Sequence, residues 1–331
     1  MIGYYVHHDG RGHLARASVV ADTLATPVTG LSSLPRPDGW RGDWVLLPRD
    51  DDGAPRDPER GGAWHWAPRD HAGFGARMRA IADWIVRARP AALVSDVSVE
   101  VLALAGLLGV RTAGVLLHGR RDDPAHRLGH ATADVLLAPW PAGHRRPWHD
   151  DLPTPLVTTG GFGRYDDRAP TPPPGDRRVL VLAGGGPHAI APGDVAAAAR
   201  ATPGWTWDAA GLGTAGPAPV GWRGWRDETW DLLGAADVVV ATAGNGVVSE
   251  IAAARRPAVL VPQERPFGEQ AALAEGVALR CPVRVVAGWP APAAWPGLLD
   301  DVAARDGAAW ADHVDGGGAD RFAGAVAELA A

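Results

Sequence analysis

The sequence predicts an α/β protein made of two doubly wound halves, and three observations carry that expectation. Short β-rich runs alternate with helix-like segments along the chain, the pattern of parallel sheets covered by helices. The stretch GGFGRYDDRAPTPPPGDRR at 160–178 is rich in Pro, Gly and charge, has no apolar period, and divides this alternation in two. The length, 331 residues, suits two domains with a core each. The expected division is residues 1–162, a linker at 163–177, and residues 178–331, with the last helix able to pack back on the first domain.

Taken in order, the first half places strands at Ile2–His7, Pro27–Leu31, Ala92–Ser95, Thr112–Leu117 and Val135–Ala138. Between them, Leu14–Leu24 sets Leu14, Ala17, Val20 and Leu24 along one helical face. Phe74–Arg89 reads as a second helix. Its Ile81, Trp84 and Ile85 are expected in the core, a reading favoured over an acceptor platform or membrane-surface patch built with Trp64, Trp66, Phe74 and Met78. The second half offers strands at Arg178–Ala183, Asp237–Ala241 and Ala258–Val261. Its clearest helix, Gly246–Ala254, pairs Val247 with Ile251 and Val248 with Ala252. Two Rossmann-like halves joined by a linker imply an interdomain cleft. The DDD triplet at 50–52 lies in a Pro/Gly-rich stretch and reads as a solvated turn rather than a metal motif.

Composition removes several function classes. The net charge is −6, and the positive residues, all Arg, are interspersed with Asp, so there is no basic field for nucleic acid. Cys281 is the only cysteine, which excludes an intramolecular disulfide framework and a cysteine zinc site and fits a reducing cytosol. The longest apolar stretch, 101–117, is broken by Arg111 and three glycines. No membrane span or signal peptide is expected, so the protein is read as cytoplasmic with at most peripheral membrane contact. Its oligomeric state is open.

The chemistry concentrates at glycine-rich turns. In ADVVVATAGNGVVSEIAAARRPAVLVPQERPFGEQ, at 236–270, a buried strand runs into Gly244, Asn245 and Gly246, which open a helix. Small residues and unsatisfied helix N–H groups suit a diphosphate there. A second cluster, Gly184, Gly185 and Gly186, follows the strand RRVLVLA at the carboxyl edge of the same sheet, where open α/β sheets bind ligands. The opening loop DGRGHLARA contains Gly10-x-Gly12-x-x-Ala15, a near match to a dinucleotide fingerprint. That reading needs an acidic residue about 20 positions on to hold the ribose. Only Thr, Gly, Leu and Ser occur around Thr29 to Leu34, so an NAD-binding oxidoreductase is rejected. His118, His126 and His130 with Asp122 and Asp123 are scattered over a polar loop without tight ligand spacing, and no metal is expected.

The 236–270 block resembles the donor-binding core of GT-B fold glycosyltransferases, especially glycosyltransferase family 28. GRGHLAR is similar to that family's glycine-rich acceptor-domain loop, and PAALVSDVSVEVLALAGLLGVRTAGVLLHG to its strand–helix–strand segment beside the acceptor. The resemblance implies a GT-B fold, with Glu250 on the ribose hydroxyls and the turns at 184–186 and 244–246 on the diphosphate. It further implies Glu269 and Gln270 on the sugar, Trp225 and Arg226 nearest the nucleobase, and Arg164 near the donor. Trp225 has a second reading as a core residue, and Glu250 as a surface helix glutamate. Glu269 departs from the paired glutamines of the peptidoglycan branch, which leaves the hexose open. Gly10 and Gly12 would floor an acceptor pocket, with His118 and Arg120 as acceptor-side contacts or part of a solvated loop.

The activity so implied is an inverting, metal-independent transfer of a hexose from a UDP- or TDP-sugar to a hydroxyl of a natural product or lipid-linked precursor, with the nucleotide sugar as substrate and no cofactor. Such a transfer needs a base, and His13, with its near-neutral imidazole, is the candidate. Asp96 would orient it, or else cap the following helix. His7, His8 and Asp9 stand beside the same loop. The alternatives are a nucleotide-sugar epimerase of the same architecture and a non-catalytic nucleotide-sugar-binding protein.

Overall fold

The computed structural model describes residues 1–331 apart from Asp9, Gly10, Gly186, Pro187 and Thr214. The candidate glycines Gly10 and Gly186 and the loop residue Asp9 therefore lie outside the described residues. Two units divide the chain: Met1–Gly160 together with Gly317–Ala331, and Gly161–Gly316.

In the first unit, β1 (Ile2–Tyr5), β2 (Val28–Ser32), β3 (Trp44–Leu46), β4 (Ala92–Asp96), β5 (Thr112–Val115), β6 (Val135–Ala138) and β7 (Leu156–Thr158) form one sheet of order β3-β2-β1-β4-β5-β6-β7. Every neighbouring pair is parallel. Helices α1 (Arg11–Thr23), α2 (Ala72–Ala88), α3 (Val99–Leu107) and α4 (Pro124–Ala131) connect them. The second unit has β8 (Arg178–Leu182), β9 (Thr206–Ala210), β10 (Gly221–Gly224), β11 (Val238–Ala241), β12 (Ala258–Leu260) and β13 (Val283–Val285), in the parallel order β10-β9-β8-β11-β12-β13. Its helices are α5 (Pro192–Ala201), α6 (Trp230–Gly234), α7 (Asn245–Ala253), α8 (Glu269–Ala278) and α9 (Trp295–Ala303). The final helix, α10 (Gly318–Ala330), belongs to the first unit, where it packs against α1, β4 and β5. Each unit is the doubly wound parallel α/β structure that the alternation predicts.

Each sheet reverses its winding once, between β1 and β4 in the first unit and between β8 and β11 in the second. Connections leave in opposite directions there, which opens a crevice at the carboxyl ends of those strands. The crevices receive the segments with most of the candidate residues: α1 follows β1 and Asp96 ends β4, while Gly184–Gly185 follow β8 and Gly244–Gly246 follow β11.

Packing explains the local sequence. Ile81, Trp84 and Ile85 of α2 are buried against the first sheet, in agreement with the core reading. Trp84 lies so close to β1 that a Cβ on Gly3 would stand 2.6 Å from its Cη2. Position 3 accordingly has no side chain. β1 stops at Tyr5 rather than His7, and α1 starts at Arg11 rather than Leu14, so His13 is helical and not part of the turn. The HGRRDDPAHR segment is not a solvated loop either: Pro124–Ala131 is helical, and His118, Arg121, His126 and His130 are buried. No helix among the described residues is long and apolar enough to cross a membrane.

Candidate functional site

In the first unit the site is built on Asp96, which is fully buried at the end of β4. A buried carboxylate requires compensating donors. Arg16, one turn beyond His13 on α1, supplies a two-pronged contact, Nη2 to Oδ1 at 2.9 Å and Nε to Oδ2 at 3.1 Å. The Tyr4 hydroxyl donates to Oδ2 at 3.3 Å, and His13 Nδ1 lies 2.9 Å from Oδ1. Burial alone would raise the Asp96 pKa, but Arg16 and His13 outweigh it and hold the carboxyl well below the usual carboxylate range. Tyr4 is shifted upward by burial and by the Asp96 charge, so it stays a neutral donor.

Two charged groups face His13 Nδ1: the Asp96 carboxylate, which can only accept, and Arg16 Nη2 at 3.1 Å, which can only donate. Where Nδ1 donates to Asp96, Nε2 is left as the acceptor that a general base requires, on a side chain that retains 18% exposure. Asp96 is not the cap of the following helix, because Ser98 occupies that position and accepts from Val101 N at 3.3 Å. The neighbouring His7 is pushed down to about 3 by burial and then by His13 and His8, so it is neutral. Its ring stacks on His8 at 5.0 Å. At Gly12 a Cβ would meet nothing within 4 Å, so packing does not require the glycine and the surroundings are open.

Other sequence candidates in this unit fall differently. His118 is buried, with Nε2 3.0 Å from His144 Nδ1. Arg120 is turned outward to Asp122 at 2.7 Å. In the DDD triplet the solvated-turn expectation fails for Asp50, which is buried and paired to Arg77 at 3.1 Å. Residues that sequence reasoning missed include Tyr4 and Arg16. The signal for Arg16 was its i,i+3 spacing from His13, which puts both on one helical face.

In the second unit, Gly244 is the N-cap of α7 and makes no side-chain cap bond, so its first-turn N–H groups have no capping side chain. A Cβ on Gly244 or Gly246 would meet nothing within 4 Å, which describes open space at the helix start. The Nδ2 of Asn245 is buried there without a hydrogen-bond partner among the described residues. On the β8 side, a Cβ on Gly185 would come within 3.3 Å of Trp225 Cη2, and one on Gly184 within 3.4 Å of Val247 Cγ2. Trp225 is 45% exposed and its indole N–H donates to Asp227 Oδ1 at 2.9 Å. It is a held, solvent-facing ring and not a core residue. Arg226 is exposed and donates to Arg223 O at 3.1 Å.

Glu250, on α7, is not a bare surface glutamate. Arg164 Nε donates to Oε1 at 2.9 Å and Thr229 Oγ1 to Oε2 at 2.8 Å. Thr229 is itself fixed by its N–H donating to the Tyr165 hydroxyl at 2.8 Å. Arg164 also donates to Asp227 O, so the linker and the loop before α6 meet at this carboxylate. Gln270 is buried, and its Oε1 accepts from Ala243 N at 3.1 Å and Gln263 N at 2.9 Å. It braces the two loops. Glu269 opens α8 directly after Gly268, which has φ +65°.

No protein-family model and no curated protein matches the sequence. Solved structures do match the fold. The glycotransferase of kitacinnamycin superposes with a TM-score of 0.71 at 15% identity, covering 100% of this chain and 99% of that one. MurG of Acinetobacter baumannii gives 0.63 at 15% identity, with 99% of each chain covered. Arabidopsis thaliana UGT89C1 complexed with UDP gives 0.65 at 13% identity, covering 100% and 99%. The chain therefore has the GT-B fold of glycosyltransferases.

Proposed function

We propose that the protein is an inverting glycosyltransferase that moves a hexose from a UDP- or TDP-sugar to a hydroxyl of a natural product or lipid-linked acceptor. The observation that carries this reading is the His13–Asp96 pair at the first sheet's reversal, with Nδ1 2.9 Å from the carboxylate on a partly exposed side chain. In this reaction His13 Nε2 takes the acceptor hydroxyl proton as its oxygen attacks the anomeric carbon. Asp96 stabilises the imidazolium that forms. The bond from the anomeric carbon to the diphosphate breaks on the opposite face. The departing charge falls to the N–H groups that open α7 and to the Asn245 amide, so no metal is needed at the diphosphate. Glu250, already oriented by Arg164 and Thr229, takes the ribose hydroxyls, and Trp225 offers its exposed ring to the base. Glu269 contacts the sugar, with Gln270 holding its loop.

The UDP bound to the Arabidopsis neighbour supports the choice of donor class, and the kitacinnamycin neighbour supports a natural-product acceptor. The test is a thermal-shift panel of UDP- and TDP-sugars followed by transfer assays resolved by mass spectrometry. At least one nucleotide series should stabilise the protein, and Glu250→Ala should weaken that shift. His13→Ala should lower turnover by about 10²–10⁴-fold with donor affinity retained. Absence of stabilisation by both series contradicts the reading, as does sustained sugar interconversion without acceptor, which would mark an epimerase.

A further inference from the structure

Among the described residues, two carboxylate–histidine groups bring three ligand atoms close together, and one of them includes His126 and Asp123, which the sequence reading left scattered. Asp123 caps α4, its Oδ1 accepting from His126 N at 3.1 Å. The same carboxylate meets two imidazoles, His65 Nε2 at 2.9 Å from Oδ1 and His126 Nδ1 at 2.5 Å from Oδ2. The two rings stand 4.2 Å apart, and one ligand atom from each of the three residues lies within 4.8 Å of the others. His65, remote in sequence, is brought here by Glu100, whose Oε1 accepts from both His65 N and Trp66 N at 2.9 Å.

We propose that His65, Asp123 and His126 bind one divalent transition-metal ion of the class that accepts imidazole and carboxylate together, Zn²⁺ or Co²⁺. Two imidazoles and a carboxylate are a donor set that such ions accept with the remaining position open. Burial is graded to suit an entry path: the His126 side chain is 3% exposed, while those of His65 and Asp123 are 28% and 34% exposed. A further imidazole, His130, follows one turn later with its ring 5.3 Å from that of His126. Its buried Nδ1 has no hydrogen-bond partner among the described residues, a condition that an ion or its bound water relieves. The other carboxylate–histidine group, His8 with Asp50 and Asp51, is a poorer host because Arg77 and Arg49 already pair with its carboxylates.

Coordination has a defined cost. Arg121 Nη1 lies 3.2 Å from His126 Nε2, where it donates and leaves the imidazole proton on Nδ1, facing Asp123. Each imidazole would hold the ion through the nitrogen that faces Asp123, so its ring proton moves to the far nitrogen; on His126 this is Nε2, and Arg121 must turn away from it. Arg121 therefore weakens binding, and the ion tethers the loop carrying His65 to α4. This site lies wholly in the first unit and does not depend on the transferase reading.

Equilibrium dialysis of the chelator-stripped full chain against Zn²⁺, with Co²⁺ absorption as a second readout, tests the proposal. One equivalent should bind, with a rise in thermal midpoint. His65→Ala and His126→Gln should each weaken binding by at least about tenfold. Arg121→Met should tighten it. If His126→Gln fails to fold, His65→Ala, at a partly exposed loop position, decides alone. No saturable binding below about 1 mM overturns the proposal, as does wild-type affinity retained in His65→Ala.

Discussion

A buried carboxylate is either matched by donors or driven toward its neutral form, and Asp96 and Asp166 take opposite courses. Asp96 meets Arg16, His13 and Tyr4 and stays ionised. Asp166 accepts one backbone bond, from Gly163 N at 3.0 Å, and its buried Oδ2 has no hydrogen-bond partner among the described residues. Burial pushes its carboxyl up to about 6. Because the unfolded value is about 3.9, the folded state binds more protons between those limits, and stability falls as pH rises through that window. Asp166→Asn should therefore raise the thermal midpoint at pH 7, with the gain closing on acidification through the window. Calorimetry at the two ends checks this, and an equal gain at both would contradict it. At this scale the sequence showed His13 and Asp96, since each stands just beyond or at a recognisable strand end. It did not show that Arg16 meets Asp96 or that His65 meets Asp123, because each pair lies far apart along the chain.

Elements were legible where a period had room to repeat. Helices α1, α2 and α7 carry apolar residues at helical spacing, and each was found within a few residues of its ends. Strands β3, β7 and β13 have three residues each and were not placed, whereas β12, equally short, was found because all of its residues are apolar. Helix α4 escaped for another reason: its buried face includes His126 and His130, which a polarity pattern counts as solvent-seeking. Its partner contact is unusually close, since a Cβ on Gly129 would stand 2.4 Å from Val99 Cβ on α3. Gly129→Ala should destabilise the protein by about 1–3 kcal/mol through forced separation of these helices. Gly75→Ala is the contrast. In α2, its new Cβ meets nothing within 4 Å, so higher helix propensity should leave stability unchanged or improved by up to about 1 kcal/mol. Urea unfolding midpoints compare the two, and equal losses would refute the packing argument.

At the scale of the whole molecule, the alternation of strands and helices foretold two parallel sheets, and the glycine turns marked the reversal in the second. The sequence allowed the last helix to pack back on the first domain but carried no pattern that required it. The amphipathic pattern of α10, with Phe322, Ala323 and Val326 buried, suits any apolar face. The choice is made by contacts distant in sequence: Arg321 Nε donates to Thr159 O at 2.6 Å and Arg111 Nη1 to Leu329 O at 3.0 Å. Removing residues 317–331 should raise hydrogen exchange in α1 and leave β8–β13 protected. Exchange rising equally in both units would contradict this assignment. The same split connectivity gives the nascent chain a timetable. The second unit has its whole sequence outside the ribosome before the first has received its final helix, although the first began earlier. Completion of the first unit must therefore wait until residues 317–331 have followed the whole second unit.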